Sequence, residues 1–268
     1  MISVVCVYNN EQSLKDNLLN GLEEQTSRYE SIMIDNTKGR FKSAAESLNR
    51  GGRKAKGKYI MFAHQDVNLY SNSWLEDAEK ILDPLPNLGI AGVAGMSEEG
   101  SKNKERGRNI IEHGDPPRAW SWGNAIRKPE PVQTLDECLV IIPKSVFDTL
   151  QFDEEVCNNW HLYGVDYCLS ARKLGVGVYA IPIFVYHTST GASTKNRFQA
   201  VLSLGSLPDE YYQTLGKLLK KHKNDYKRIY TTCGDWNTSY PLILQRIRHL
   251  ARSGAELLWR QLLKSKQK

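Results

Sequence analysis

Short apolar runs alternate with predicted helices through the first third of this 268-residue chain. The runs near 2–8, 30–36, 58–67 and 89–95 are bounded by polar residues, and the first is rich in β-branched side chains, as buried strands are. The segments at about 12–22, 41–50 and 73–82 are predicted helices. Strands that alternate with helices predict an α/β fold whose central sheet is mostly parallel and covered by helices on both faces.

Two of these strands end in a carboxylate, Asp35 and Asp66, and a later strand at 176–186 runs directly into His187. Ligands of open α/β sheets bind at the carboxyl ends of the strands, so Asp66 and His187 are expected to meet there. A Gly-rich phosphate loop is absent, and a divalent ion held by these two residues would supply the counter-charge for a phosphate ligand. The alternatives are a turn or cap role for each carboxylate and a buried, hydrogen-bonded role for His187.

Residues 97–131 interrupt this pattern with charges, glycines and prolines. An irregular stretch of this length inside a compact domain is typical of a functional loop or a hairpin insertion. Trp120 and Trp122, near its end, are candidates for stacking on a sugar, and equally for a small core within the loop.

The chain divides by prediction into a main domain at 1–205 and a basic, helical extension at 206–268, with helices near 209–222 and 242–263. The net charge of +6 is modest, and its excess lies mainly at 217–228 and 245–268. This distribution indicates an anionic partner near the C-terminal part, and we expect no nucleic-acid ligand. The last helix is basic and amphipathic, which fits peripheral contact with an anionic membrane or packing against protein.

Compartment is predicted from cysteine usage and hydropathy. The five cysteines are odd in number and widely spaced, so neither a disulfide framework nor a Cys-rich zinc site is indicated. Because we find neither an export signal nor an apolar run of membrane-spanning length, we expect a cytoplasmic protein, peripheral at the inner face of a membrane if its last helix binds lipid.

A series of motifs carries a family resemblance: Tyr8-Asn9-Asn10, Ile34-Asp35-Asn36, His64-Gln65-Asp66, Leu135-Asp136-Glu137, Phe152-Asp153-Glu154, Trp160 to Leu169, and Val185-Tyr186-His187. Their order and spacing resemble family 2 glycosyltransferases with a GT-A (Rossmann-like) fold over residues 1–200. The resemblance implies an inverting, Mn- or Mg-dependent transfer of a sugar from a UDP-, GDP- or dTDP-sugar to a hydroxyl of a glycan or lipid-linked acceptor.

The resemblance also implies roles for individual residues. Tyr8, Asn9 and Asp35 would hold the nucleoside of the donor, with His64 and Asp66 beside it. Asp66 and His187 would bind the metal, and Asp166 would act as general base. The sugar or acceptor pocket would contain Asp136, Glu137, Trp160 and His161. For Asp166 the alternative is an exposed helix residue paired with Arg172 or Lys173, and for His161 it is packing beside Trp160.

One motif departs from the family. Its usual Asp-x-Asp triplet is His64-Gln65-Asp66 here, so an imidazole replaces the first carboxylate. The replacement puts the ribose contact of that carboxylate in question and predicts weaker metal binding. His64 is then either a substrate contact or a structural residue. The change motivates an alternative function, a non-catalytic nucleotide- or glycan-binding module with a GT-A fold and a degenerate metal site. A nucleotidyltransferase is disfavoured because its Gly-rich, basic opening is missing.

Overall fold

The computed structural model describes residues 1–114, 120–188 and 207–251. Strands in this part of the chain are β1 (Ile2–Tyr8), β2 (Tyr29–Asp35), β3 (Tyr59–Ala63), β4 (Val67–Asn68), β5 (Leu88–Gly92), β6 (Gly95–Met96), β7 (Gly107–Arg108), β8 (Ile111–His113), β9 (Trp120–Trp122), β10 (Glu130–Pro131), β11 (Thr134–Leu135), β12 (Leu139–Pro143), β13 (Gly177–Ala180), β14 (Tyr186–His187), β15 (Arg228–Thr231) and β16 (Gly234–Asn237).

Helices connect and cover these strands. They are α1 (Glu11–Leu14, continued by a π-helical turn at Lys15–Leu19 and by Asn20–Glu23), α2 (Ala44–Gly52), α3 (Trp74–Leu82), α4 (Asn103–Arg106), α5 (Lys144–Phe147), α6 (Tyr163–Lys173), α7 (Asp209–His222) and α8 (242–251). None of the helices within the described ranges is both long and apolar enough to cross a bilayer.

The central sheet has the strand order β10-β13-β5-β12-β3-β1-β2. Strands β2, β1 and β3 are mutually parallel, and β13 is parallel to β5. Strand β12 runs antiparallel to both of its neighbours, β3 and β5, and β10 is antiparallel to β13. Five of the seven strands therefore share one direction, which confirms the predicted mostly parallel α/β sheet.

Two apolar layers cover this sheet. Helices α1 and α3 place Leu18 and Trp74 on one face, and helices α2 and α6 place Leu48 and Tyr167 on the other. Burial of side chains of this size contributes roughly 1.5–3 kcal/mol each, so the two layers fix the strand ends firmly.

Helix starts follow from the polar residues after the strands. The Asn10 side chain caps α1 by accepting a hydrogen bond from the Ser13 amide at 3.0 Å. Ser43 caps α2 in the same way through the Glu46 amide at 3.2 Å. Such caps stabilise a helix by about 1 kcal/mol and here fix the direction in which the chain leaves the sheet.

The segment at 97–131 contains a hairpin insertion, as predicted. Strand β8 pairs antiparallel with β9 and parallel with β14, so the insertion borders the strand that carries His187. The side chains of Trp120 and Trp122 lie outside the described part, and their stacking on a sugar stays a prediction.

The region after residue 206 packs on α6. Leu215 and Leu218 of α7 and Trp236 of β16 bury against Val165 and Leu169 of α6. The predicted helix at 209–222 is confirmed, whereas the hairpin β15–β16 was not predicted. Its signal was the alternation of Ile229 and Thr231, both buried, before a turn. Residues 252–263, the rest of the predicted last helix, and residues 264–268 lie outside the described part of the chain.

Candidate active site

A cleft opens at the carboxyl ends of β1 and β3. Its lining comes from both strand ends, from α2 and from the start of α6: Val7, Tyr8, Asn9, Asn36, Ala44, Leu48, Phe62, Ala63, His64, Gln65, Asp66, Trp160 and Tyr163. Five residues assigned from the sequence therefore meet there, namely Tyr8, Asn9, His64, Asp66 and Trp160. The parallel register of β1 against β3 brings Tyr8 and Asp66 into one site, although they lie far apart in the chain.

Three donor groups converge at one side of this cleft. The Nε2 atom of His187 lies 3.2 Å from Oδ1 of Asp66 and 3.5 Å from Nδ1 of His64. All three donor atoms lie within 4.8 Å of one another. The cause is local topology, because β14 pairs antiparallel with β4, the strand that begins directly after Asp66. The structure therefore brings Asp66 and His187 together and adds His64.

The His64 ring is held by the first residue of α6. Its Nε2 atom lies 3.0 Å from the Tyr163 hydroxyl, and that hydroxyl donates to the Glu137 carbonyl oxygen at 3.2 Å. Since the single hydroxyl proton is used in this second bond, Nε2 of His64 carries the ring proton and donates to Tyr163. The lone pair of Nδ1 consequently points toward His187 and Asp66.

Electrostatics favours a cation between these groups. Burial would raise the pKa of Asp66, but the hydrogen bond and charge of His187 outweigh it and lower that pKa. Burial and the neighbouring His187 lower the pKa of His64. Burial opposes charge on His187 as well, yet its bond to Asp66 leaves the pKa of His187 raised. An anionic carboxylate and a neutral imidazole thus face the cluster at neutral pH.

The donor set fits a divalent metal. Ligand bonds of about 2.1 Å place neighbouring donor atoms roughly 3.0–3.4 Å apart in octahedral or tetrahedral geometry. The observed separation of 3.2 Å between His187 and Asp66 lies within this range, and that of 3.5 Å between His187 and His64 lies just beyond it. The cluster is therefore compact enough for one ion to contact all three donor groups.

Gln65, the middle residue of the triplet, connects the two strand ends and was missed by the sequence analysis. Its Oε1 atom accepts from the backbone amides of Asn9 and Asn10 at 2.9 and 3.0 Å, and its Nε2 atom donates to Oδ1 of Asn9 at 2.9 Å. These bonds fix the turn after β1 relative to the metal-binding group. A polar residue aligned beside a turn after a neighbouring strand was the available signal.

Asp35 lies at the exposed end of β2, next to Tyr8 in the strand register. Its Oδ1 atom accepts from the amide and the hydroxyl of Thr37 at 2.8 and 2.7 Å, and these bonds lower the pKa of Asp35. The neighbouring Asn36, rather than Asp35, lines the cleft. Asp35 therefore stands at the rim beside Tyr8.

Asp136 and Glu137 follow β11 and differ in environment. Oδ1 of Asp136 accepts from the Cys138 amide at 3.0 Å. Burial would raise the pKa of Asp136, but this bond and the charges of His187 and His113 outweigh it, so the pKa is lowered. The Asp136 carboxylate thus lies within electrostatic range of His187, although Asp136 is not among the residues that line the cleft.

Glu137 instead holds the start of α6. Its carboxylate accepts from the amides of Leu162 at 3.2 Å and Gly164 at 2.7 Å. Burial raises the pKa of Glu137 to about 8. Leu162 has a φ of 65°, a conformation unfavourable for leucine, and the Glu137 carboxylate is what fixes it. Glu137 is thus a positioning group for Tyr163 rather than part of the cleft lining.

The prediction that Asp166 is the general base does not agree with its position. Asp166 is 1% exposed, and its two oxygens accept from Lys221 at 2.7 Å and His222 at 2.8 Å. Both partners belong to α7, which packs on α6, and each of them bonds one oxygen of the Asp166 carboxylate. Arg172 and Lys173, the alternative partners predicted for Asp166, pair instead with Glu98 and Asp225, respectively.

The two aromatic candidates before α6 separate in the structure. Trp160 is 40% exposed and lines the cleft. His161 packs edge-on against Tyr211 of α7, with ring centroids 5.8 Å apart, and is not among the residues that line the cleft. Of these two candidates, Trp160 is the one that a ligand in the cleft can contact.

Comparison with solved structures supports the fold. The mannosyltransferase PcManGT from Pyrobaculum calidifontis, in complex with GDP-Man and Mn²⁺, aligns with a TM-score of 0.55 at 13% identity over 84% of this chain and 65% of its own. GalNAc-T7 with UDP, GalNAc and Mn²⁺ aligns at 0.55 and 12% identity over 83% and 50%, respectively. TarS from S. aureus aligns at 0.51 and 15% identity over 84% and 40%. This chain thus spans 40 to 65% of the length of these proteins, and at such identities the likeness concerns the fold alone.

Sequence comparison gives two further relationships. A protein from Fuscovulum blasticum, named for an ATP synthase subunits region as ORF 6, is 27% identical over 202 residues, 72% of this chain and 77% of its own length. A profile described as "Glycosyltransferase like family" matches residues 3–197, which include the whole cleft. Because this match covers well over half of the chain, the chain belongs to the glycosyltransferase-like family, and the predicted family membership and GT-A fold are confirmed.

Proposed function

We propose that this protein transfers a sugar from a nucleotide-sugar donor to a hydroxyl of an acceptor, with a divalent metal at His64, Asp66 and His187. One observation carries the proposal: in a chain of this family, the cleft at the strand ends joins the turn after β1 directly to a three-residue metal-binding group. Solved proteins with this fold include complexes with GDP-Man or UDP and Mn²⁺.

The residues divide the donor between them. Tyr8 and Asn9 line the inner end of the cleft and Asp35 stands at its rim, so they are placed for the nucleoside. When bound, the metal would neutralise the diphosphate that leaves the sugar. Gln65 keeps the nucleoside end and the metal end at a fixed separation through its bonds to Asn9 and Asn10. Trp160 offers an aromatic face to a sugar.

Asp136 is the proton acceptor in this proposal, in place of Asp166. An inverting transfer is one displacement at the anomeric carbon, and it needs a base that takes the proton of the acceptor hydroxyl. Asp136 is partly exposed, and its lowered pKa keeps it anionic at neutral pH. Asp166 is less suited to this role because it is 1% exposed and both of its oxygens accept hydrogen bonds from Lys221 and His222.

A lipid-linked acceptor at an anionic membrane suits the C-terminal part. Ile243, Leu244 and Ile247 of α8 are 62%, 43% and 55% exposed. Residues 242–268 contain seven Lys or Arg and one Glu, so the remaining chain is balanced in charge. An exposed apolar helix face within a basic segment favours binding to anionic lipid headgroups. Cytoplasmic localisation stays a prediction.

Hydrolysis of a panel of UDP-, GDP- and dTDP-sugars, with and without divalent metal, tests the proposal. We expect metal-dependent release of nucleoside diphosphate from at least one donor. Asp66→Asn should abolish it, and Asp136→Asn should slow it by about 10²-fold or more while diphosphate binding persists. Asp148→Asn is the control, because Asp148 follows α5 and does not line the cleft. Diphosphate binding without turnover across the panel, with and without candidate acceptors, would instead identify the non-catalytic binding module.

A further inference from the structure

We infer that His64 replaces the missing carboxylate as a metal ligand, and that the resulting site selects a transition-metal ion of the cobalt or zinc type over magnesium. The inference deepens the proposed function, since it concerns the metal of that same site. It does not depend on the sugar, the nucleotide or the acceptor, because the ligands belong to this chain alone.

The lone pair on Nδ1 of His64 points toward the other two donor groups. The Tyr163 hydroxyl oxygen accepts a hydrogen bond from Nε2 of His64 at 3.0 Å. Nδ1 of His64 therefore carries a lone pair, and it lies 3.5 Å from Nε2 of His187. In the metal-free site Nε2 of His187 carries the proton that bonds it to Oδ1 of Asp66. A cation that displaced this proton to solvent would meet lone pairs on Nδ1 of His64, Nε2 of His187 and Oδ1 of Asp66. A cation bound to both, and to Oδ1 of Asp66, satisfies all three donors at once.

The His64 ring is held in place before any metal binds. Tyr163 is itself fixed by its bond to the Glu137 carbonyl, and Glu137 holds the first turn of α6 through two backbone amides. Histidine ligands of metals characteristically donate their second ring N–H to such a partner, which sets the tautomer and the ring orientation.

Two imidazole nitrogens and one carboxylate oxygen favour a transition-metal ion over magnesium. Magnesium prefers oxygen ligands and near-ideal octahedral geometry, and imidazole is a poor substitute for carboxylate in its sites. Zinc, cobalt and nickel bind imidazole well, and affinity rises from manganese through cobalt to copper for sites with nitrogen donors. Replacing Asp-x-Asp by His64-Gln65-Asp66 therefore changes the identity of the preferred ion, rather than only weakening a magnesium or manganese site.

Titration of the metal-free full-length protein with Co²⁺, followed by visible absorption, tests this directly. We expect one Co²⁺ per chain, displacement by Zn²⁺, and resistance to a large excess of Mg²⁺, with Mn²⁺ intermediate. His64→Asp should lower Co²⁺ affinity by at least about tenfold and narrow its advantage over Mg²⁺ and Mn²⁺, and His64→Asn should lower the affinity for every ion. His249→Ala, a histidine bonded to the Cys233 carbonyl in the C-terminal region, is the control for nonspecific binding and should bind Co²⁺ like the wild type.

Circular dichroism of each variant verifies folding, and the asparagine variant keeps the test decisive if the aspartate variant fails to fold. Equal Co²⁺ affinity in wild type and His64→Asn, or displacement of Co²⁺ by equimolar Mg²⁺, would overturn the inference. Such a result together with metal-dependent donor hydrolysis would leave the proposed function standing. Conversely, His64-dependent Co²⁺ binding without any binding of nucleoside diphosphate would support the metal site and refute the function.

Discussion

The Nε2 atom of His64 lies 3.0 Å from the hydroxyl oxygen of Tyr163, although 99 positions separate the two residues in the chain. This bond joins the end of β3 to the first turn of α6. The metal-binding group therefore depends on a helix that contributes no ligand to it. Substitutions in α6 consequently fall into two classes, those that disturb the cluster and those that affect stability alone.

Tyr163→Phe removes this bond and leaves the His64 ring free to rotate. We expect a loss of metal affinity of about tenfold, as for other partners of metal ligands, and a small loss of stability near 1 kcal/mol. Tyr167→Phe is the matched control, because its hydroxyl donates to the Leu150 carbonyl at 3.0 Å on the same helix, away from the cleft lining. Equal metal affinities in the two variants, measured by calorimetry, would refute the role of Tyr163.

Asp166→Asn leaves Lys221 and His222 without their buried counter-charge. Breaking a buried ion pair on one side costs roughly 3–5 kcal/mol, so urea denaturation should show a large loss of unfolding free energy. Asp153→Asn, which removes a half-buried partner of the same Lys221 at 2.9 Å, should cost less. Turnover per folded molecule should change little in Asp166→Asn. A large fall in turnover at unchanged stability would restore Asp166 as the base.

Glu137 should make stability depend on pH. Burial raises the pKa of Glu137 to about 8, whereas an unfolded glutamate has a pKa of about 4.3. Between these values the folded protein holds a proton that the unfolded chain releases, so the stabilising contribution is complete below about pH 4 and is lost as pH rises toward 8. Thermal unfolding at a series of pH values should show a shallower decline for Glu137→Gln than for the wild type, and parallel curves would contradict the assignment.

Binding of α8 to lipid is tested by co-sedimentation with vesicles. The full-length protein should sediment with vesicles rich in phosphatidylserine and not with phosphatidylcholine alone. Ile243→Ser combined with Ile247→Ser should reduce binding severalfold, whereas Tyr70→Ser, which alters a 58% exposed aromatic residue far along the chain, should not. Equal sedimentation of the double variant, or of the wild type with neutral vesicles, would contradict the membrane contact.

The sequence predicted the elements whose signals are local. Strand β1 was predicted with its observed bounds, and the parallel sheet followed from the alternation of strands and helices. Asp66 and His187 were recognisable because each directly follows an apolar run, and strand ends share one edge of a sheet.

What the sequence did not reveal depends on contacts between distant elements. The burial of Asp166 follows from the packing of α7 across α6, and no local pattern near residue 166 records that contact. His64 was left open because its role rests on the ring tautomer, which a residue 99 positions later determines. Gln65 was missed for the same reason, since its partners lie on the turn after another strand.

The donor site is tested by a crystal structure of the protein soaked with UDP or GDP in the presence of Mn²⁺. We expect density for a metal ion at His64, Asp66 and His187 and for a diphosphate beside it, with the nucleoside in the cleft against Tyr8 and Asn9. A nucleotide bound elsewhere, or a cleft that stays empty at saturating concentrations of both nucleotides, would contradict it.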